Sequence, residues 1–96
     1  MNDEITPLVV ITGISGSGKS VALNQLEDLG YYCVDNLPIQ LLHDFVATTR
    51  EADIKKVAVA IDIRTPGDIE NLPNIITALR SQGTPILTIF LEANDQ

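Results

Sequence analysis

Cysteine, basic charge and long apolar runs are all scarce in this chain, and each scarcity removes a class of protein. The single cysteine, Cys33, cannot close an intramolecular disulfide, so nothing covalent braces the fold. The opening Met1-Asn2-Asp3-Glu4 is acidic and lacks the basic and apolar regions of a signal peptide. Together these features lead us to expect a reducing, cytoplasmic setting. Six Lys and Arg against thirteen Asp and Glu give a formal charge of −7. That is a poor footprint for neutralising nucleic-acid phosphates over a broad surface, so direct RNA binding by this segment is not expected. No apolar run approaches the roughly 18 residues that would suggest a membrane helix, so no membrane partner is expected either.

What is present is the composition of one globular domain. Ninety-six residues leave room for no more than that. With 45% hydrophobic and 20% charged residues and a mean hydropathy of +0.18, the chain is too apolar and too weakly charged for disorder.

The pattern along the chain alternates. Leu8-Val9-Val10-Ile11-Thr12 is short, continuous and β-branched, as suits a strand buried on both faces of a parallel sheet, and it ends at Gly13. From Ser20 the apolar residues Ala22, Leu26 and Leu29 recur at helical spacing, with Gly30 as a C-terminal stop. Tyr31 to Val34 reads as a second strand. Pro38 is expected to open a second helix whose apolar face is Leu41 and Phe45 with Leu42 and Val46. Val57 to Ile61 is a third buried strand ending at Asp62, followed by a turn at Thr65-Pro66-Gly67-Asp68. A third helix carries Leu72, Ile75, Ile76 and Leu79, with Pro73 early and Gly83 beyond its end. Ile86 to Leu91 is a fourth strand. This order predicts an α/β, P-loop NTPase-like three-layer fold with a mostly parallel sheet and right-handed crossovers. Because no helix follows the fourth strand, the expectation is a domain cut short there, with a face that leaves self-association open.

Gly13-Ile14-Ser15-Gly16-Ser17-Gly18-Lys19-Ser20 matches the G-x-x-x-x-G-K-[ST] phosphate loop (Walker A) at every fixed position. Glycines let the backbone curl and bring successive N–H groups to phosphate oxygens where a side chain would obstruct. The helix that follows adds its own N–H groups and dipole. Lys19 would reach the β and γ phosphates, and the Ser20 hydroxyl would be a ligand of Mg²⁺. The bland alternative is a glycine-rich turn with a solvated lysine. Four fixed positions arise by accident in a chain this short only on the order of 0.3% of the time, and the strand-to-helix context disfavours accident further.

Ligands of open α/β sheets collect beyond the carboxyl ends of the strands, where two acidic residues fall. Asp62 closes the third apolar run in the Walker B manner, as a metal-side carboxylate, or else caps the turn before Thr65. Asp35 closes the second strand, as a catalytic base or substrate ligand, or else as the cap of the helix at Pro38. Arg64 is either a phosphate or base contact or a surface arginine, and Glu92 either a further metal-side carboxylate or a solvated chain-end residue. His43 has no partner at metal spacing, and Cys33 is expected to be buried and inert.

Three stretches resemble the RapZ-type P-loop nucleotide-binding proteins, called YvcJ in some bacteria: Gly13 to Leu23, then Tyr31-Tyr32-Cys33-Val34-Asp35-Asn36-Leu37-Pro38, then Asp62-Ile63-Arg64. The middle stretch is the most telling, because a phosphate loop alone does not call for it. The resemblance implies binding of ATP or GTP and slow triphosphate hydrolysis. Read from the residues, an enzyme would use Lys19 and Mg²⁺ to stabilise the transferring phosphoryl charge, with Asp35 or Asp62 managing metal and nucleophile. The resemblance also implies a guanine-nucleotide-associated segment at Asp62-Ile63-Arg64-Thr65. For the full-length family it implies an adapter that delivers a small regulatory RNA to an endoribonuclease in the control of amino-sugar synthesis. Residues 1–96 would be the N-terminal part of the nucleotide-binding domain, without the family's C-terminal domain. A small-molecule kinase of the P-loop class is the alternative.

Overall fold

The computed structural model describes residues 6–13, 18–63 and 65–91. Four strands, β1 (Leu8–Gly13), β2 (Tyr32–Leu37), β3 (Val57–Asp62) and β4 (Ile86–Leu91), form one sheet in the order β2-β3-β1-β4. Every pairing is parallel. Three helices connect them: α1 (Lys19–Asp28), α2 (Leu42–Glu51) and α3 (Pro66–Ser81).

The two central strands, β1 and β3, are buried along nearly their whole length, as their unbroken apolar runs require. Alternation then divides the core. On one face Leu8, Val10, Val57, Val59, Ile61 and Ile86 pack with Leu42 and Val46 of α2 and Leu72, Ile76 and Leu79 of α3. On the other, Val9, Ile11, Ala58 and Ala60 pack under Leu23 of α1, with Ala22 and Leu26 at the margin. These are the three layers expected from the alternation, with α1 the one helix on its face among the described residues. Leu87 and Phe90 of the edge strand β4 are 51% and 61% exposed.

Several element boundaries differ from the sequence pattern. Leu29 is the C-cap of α1 and is exposed, because the helix ends one residue earlier and turns it away from the sheet. Pro38 does not open an α-helix. It precedes a single 3-10 turn, Ile39–Leu41, and α2 begins only at Leu42. That offset buries Ile39 and Leu42 and leaves Leu41 exposed, so the expected Leu41–Phe45 pair keeps only its half-buried Phe45 in the core. Phe45 stacks on Tyr32, with ring centroids 6.4 Å apart. The stretch expected as a turn, Thr65 to Asp68, is instead the cap and first turn of α3: the Thr65 hydroxyl accepts a hydrogen bond from the Asp68 N–H at 3.2 Å. Pro73 consequently sits in mid-helix rather than near its start, tolerated on an exposed side of the helix.

The sheet order carries the site. β3 lies directly beside β1, in a register that pairs Gly13 with Asp62. On the other side of β3 the ladder to β2 is interrupted: Val34 pairs with Val59 but Leu37 with Ile61. Three steps on β2 thus oppose two on β3, and Asn36 takes a left-handed conformation, φ 58°, to absorb the extra residue. The bulge lifts Asp35 and Asn36 out of the ladder at the end of the sheet where the phosphate motif begins.

Candidate phosphate site

Gly18 forms the hinge between the phosphate motif and α1. Its φ of 93° is open to glycine and strained for any other common residue, and it serves as the N-cap of the helix without a side chain. Among the described residues no side chain caps α1 and no acidic residue of the helix occupies its first turn, so the N–H groups at its positive end have no side-chain acceptor from the helix itself. Lys19 reaches back to the end of β1, its Nζ donating to the carbonyl oxygen of Gly13 at 3.2 Å. The first and seventh residues of the motif are thereby joined, and the ammonium lies over the end of β1. Ile14, Ser15, Gly16 and Ser17 lie outside the described residues, as do Arg64 and Glu92.

Ser20, the motif's hydroxyl, points toward β2. Its Oγ donates to Asp35 Oδ2 at 3.5 Å, a long hydrogen bond between exposed groups. Asp35 makes that contact because the bulge lifts it from the ladder. Its alternative role as a helix cap has no counterpart, since neither the 3-10 turn nor α2 has a side-chain cap. Asp62 is half-buried at the end of β3, and the cap of α3 is Thr65, not Asp62. Ile63 is half-buried against the α2/α3 face of the core, so its side chain serves packing.

Beyond the ends of β2 and β3 is a cavity of about 400 Å³ whose polar lining includes Asn36, Gln40, Asp62, Thr65 and Asp68. Gln40 and Asp68 carried no functional reading from sequence. Asp68 had a usable signal, because Thr65-x-x-Asp68 follows the spacing of a helix-start box. Gln40 had none, since the 3-10 turn that presents it has no distinctive spacing. His43 is exposed, with Nδ1 3.7 Å from Asp44 Oδ1. Cys33 is half-buried rather than fully buried: its thiol donates to the Leu23 carbonyl at 3.5 Å, and burial, with a smaller contribution from Glu27, pushes its pKa up. A thiol so held is a poor nucleophile. No helix among the described residues is long and apolar enough to cross a membrane.

The sequence profile of the RapZ-like N-terminal domain matches residues 6–96. The chain belongs to this family. Among its relatives are nucleotide-binding proteins of Bordetella petrii, 56% identical over 87 residues, and of Bordetella avium, 56% identical over 89. A nucleotide-binding protein of Leptothrix cholodnii is 52% identical over 87 residues. These matches cover 91%, 93% and 91% of this RapZ-like chain but only 30%, 31% and 27% of the relatives. The chain thus spans about 30% of the length of the proteins it matches.

Proposed function

We propose that this chain binds a nucleoside triphosphate, ATP or GTP, together with Mg²⁺, as the N-terminal part of the nucleotide-binding domain of a cytoplasmic RapZ-like regulatory adapter. The observation that carries the reading is the uncapped start of α1 behind Gly18, with Lys19 held over the end of β1 and Ser20 turned toward a carboxylate. A triphosphate would take the place of the Gly13 carbonyl at Lys19, so that the ammonium meets an anionic acceptor instead of a neutral one. Residues 13–20 would form the cradle, with Asp62-Ile63-Arg64-Thr65 as a second nucleotide segment.

The donors suit Mg²⁺. It is a hard ion that keeps several waters and needs only one or two protein oxygens beside the phosphates, which Ser20 and Asp62 would supply. When bound, the ion offsets the charge of the β and γ phosphates. Asp35 would hold the Ser20 hydroxyl toward the metal, and Lys19 would stabilise charge on the transferring phosphoryl group. These contacts are largely shared by ground and transition states, so they support binding more than rate, and hydrolysis is expected to be weak. Small-RNA and ribonuclease contacts, and with them the control of amino-sugar synthesis, would belong to the longer protein rather than to this acidic segment. The cavity beside Asp62 favours a second reading, a small-molecule kinase, in which Asp35 or Asp62 would manage an acceptor hydroxyl.

Asp62→Asn tests the metal assignment. Triphosphate affinity should fall by about three- to tenfold in Mg²⁺, the scale of one ordinary hydrogen bond, as for a carboxylate that reaches the metal through water, and stay unchanged in EDTA. Equal losses with and without metal, or a lower Tm alone, would make Asp62 a structural residue.

A further inference from the structure

We infer that Asn36 is a positioning residue for the metal side of the phosphate site: its left-handed backbone sets the Asp35 carboxylate against the Ser20 hydroxyl, and it acts on the nucleotide only through that pair. The inference rests on the nucleotide-binding reading above and adds to it the residue that holds its β2 carboxylate in place.

The faces of β2 carry the argument. Side chains of a regular strand alternate, so residues 35 and 37 would share one face. Here they do not. Asp35 reaches Ser20 in the first turn of α1, on one side of the sheet. Leu37 is buried on the other side, in the cluster under α2 and α3 that Val34 also joins. The break in alternation falls at residue 36, where the pairing with β3 slips between Val34 and Leu37 and the backbone turns left-handed at φ 58°.

A left-handed backbone is ordinary just past a helix end and unusual inside a strand. The chain shows both cases. Asp53, the other non-glycine residue with positive φ among the described residues, follows the end of α2, where its N–H donates to the Arg50 carbonyl. Asn36 instead has strand on either side. Its neighbours hold it there: Val34 pairs with Val59 and Leu37 with Ile61, and the buried Ile39 and Leu42 anchor the chain beyond Pro38. Asn enters this region more readily than most residues, which keeps the strain small.

Relative strengths decide what a residue that resists this conformation would disturb. Either Leu37 leaves the core or Asp35 leaves Ser20. Burial of a leucine holds more strongly than a 3.5 Å hydrogen bond between exposed groups, so the Asp35–Ser20 contact gives way and the core remains. Ser20 then loses the partner that turns its hydroxyl toward the metal.

The test is calorimetry of the 96-residue chain with a non-hydrolysable ATP analogue and with its GTP counterpart, each in Mg²⁺ and in EDTA, read as the ratio of the two affinities. Asn36→Val, whose branched side chain strongly disfavours the left-handed region, should cut that ratio by about three- to tenfold, the loss of one hydrogen bond. Asn36→Gly, which accepts the backbone, should keep the ratio within about twofold of the parent. Asp35→Ala should lower it as Asn36→Val does, and the double variant should lose no more than either alone. Circular dichroism checks folding; if Asn36→Val does not fold, Asn36→Ala replaces it in the cycle, with an expected loss of at least about twofold. An unchanged ratio, an equal loss in EDTA, a loss shared by Asn36→Gly, or losses that multiply in the double variant would each overturn the inference. If the parent chain binds neither analogue, the nucleotide reading fails, and if it binds equally well with and without Mg²⁺, the metal assignment fails. The inference falls with either, whereas Mg²⁺-dependent binding that Asn36→Val leaves untouched overturns the inference alone.

Discussion

Replacing Lys19 by alanine should lower triphosphate affinity by about ten- to a hundredfold while leaving the fold in place. The size follows from the exchange at Nζ. In the free protein the ammonium donates to the Gly13 carbonyl at 3.2 Å, a partly solvated contact. With nucleotide bound, the same donor meets phosphate oxygens, and a hydrogen bond between charged groups contributes about 1.5–3 kcal/mol. At about 1.4 kcal/mol per decade that is the stated range. The fold should survive because Lys19 begins α1 without contributing to either core cluster. Titration of a fluorescent triphosphate against both forms, with circular dichroism as the control for folding, checks this. Equal affinity would remove the phosphate loop from the account.

The second large effect is on stability. Leu42 is fully buried where α2 begins, between the 3-10 turn that presents Gln40 and the α2/α3 face of the sheet. Leu42→Ala should cost about 2–5 kcal/mol, because the rigid strands beneath it cannot move in to fill the void. For a domain whose whole stability is about 5–15 kcal/mol, that is a large share. Urea unfolding should show a lower midpoint with an unchanged slope. A loss below about 1 kcal/mol would mean that the site collapses freely and that this face is loosely packed.

The parts of the fold legible from sequence were those written in local spacing. The run Leu8 to Thr12, the Gly-x-x-x-x-Gly-Lys-Ser motif and the stripe Leu72, Ile76 and Leu79 each have a period or fixed spacing that belongs to one structure. Strand order is not local. Nothing in residues 57–62 says that they lie beside β1, yet that neighbourhood brings Asp62 level with Gly13. The boundaries failed where one residue type serves two geometries. Pro38 suits the first turn of an α-helix and the approach to a 3-10 turn equally well, and the sequence reading took the former. Thr65 to Asp68 has both turn composition and the spacing of a helix start, and the hydrogen bond from the Asp68 N–H to Thr65 decides for the helix. Asn36 hid for a related reason. Asn enters the left-handed region readily, but only the mismatch between two paired strands requires it to do so here.

The site shows the same division. Lys19 and Ser20 were legible because the motif assigns them roles. Asp35 was visible as a strand-end carboxylate, but its alignment with Ser20 depends on a bulge that sequence did not reveal. Gln40 and Asp68 reach the cavity only through a 3-10 turn and an early helix start, both of which the sequence pattern read differently.

The central claim is that this chain holds a triphosphate with Mg²⁺ at residues 13–20. Isothermal titration calorimetry of the chain with ATP and with GTP, each in Mg²⁺ and in EDTA, tests it most directly. The account predicts saturable one-to-one binding of at least one of the two nucleotides, tighter in Mg²⁺ than in EDTA. No saturation by either up to about 1 mM, the concentration at which a Kd corresponds to about −4 kcal/mol, would contradict it.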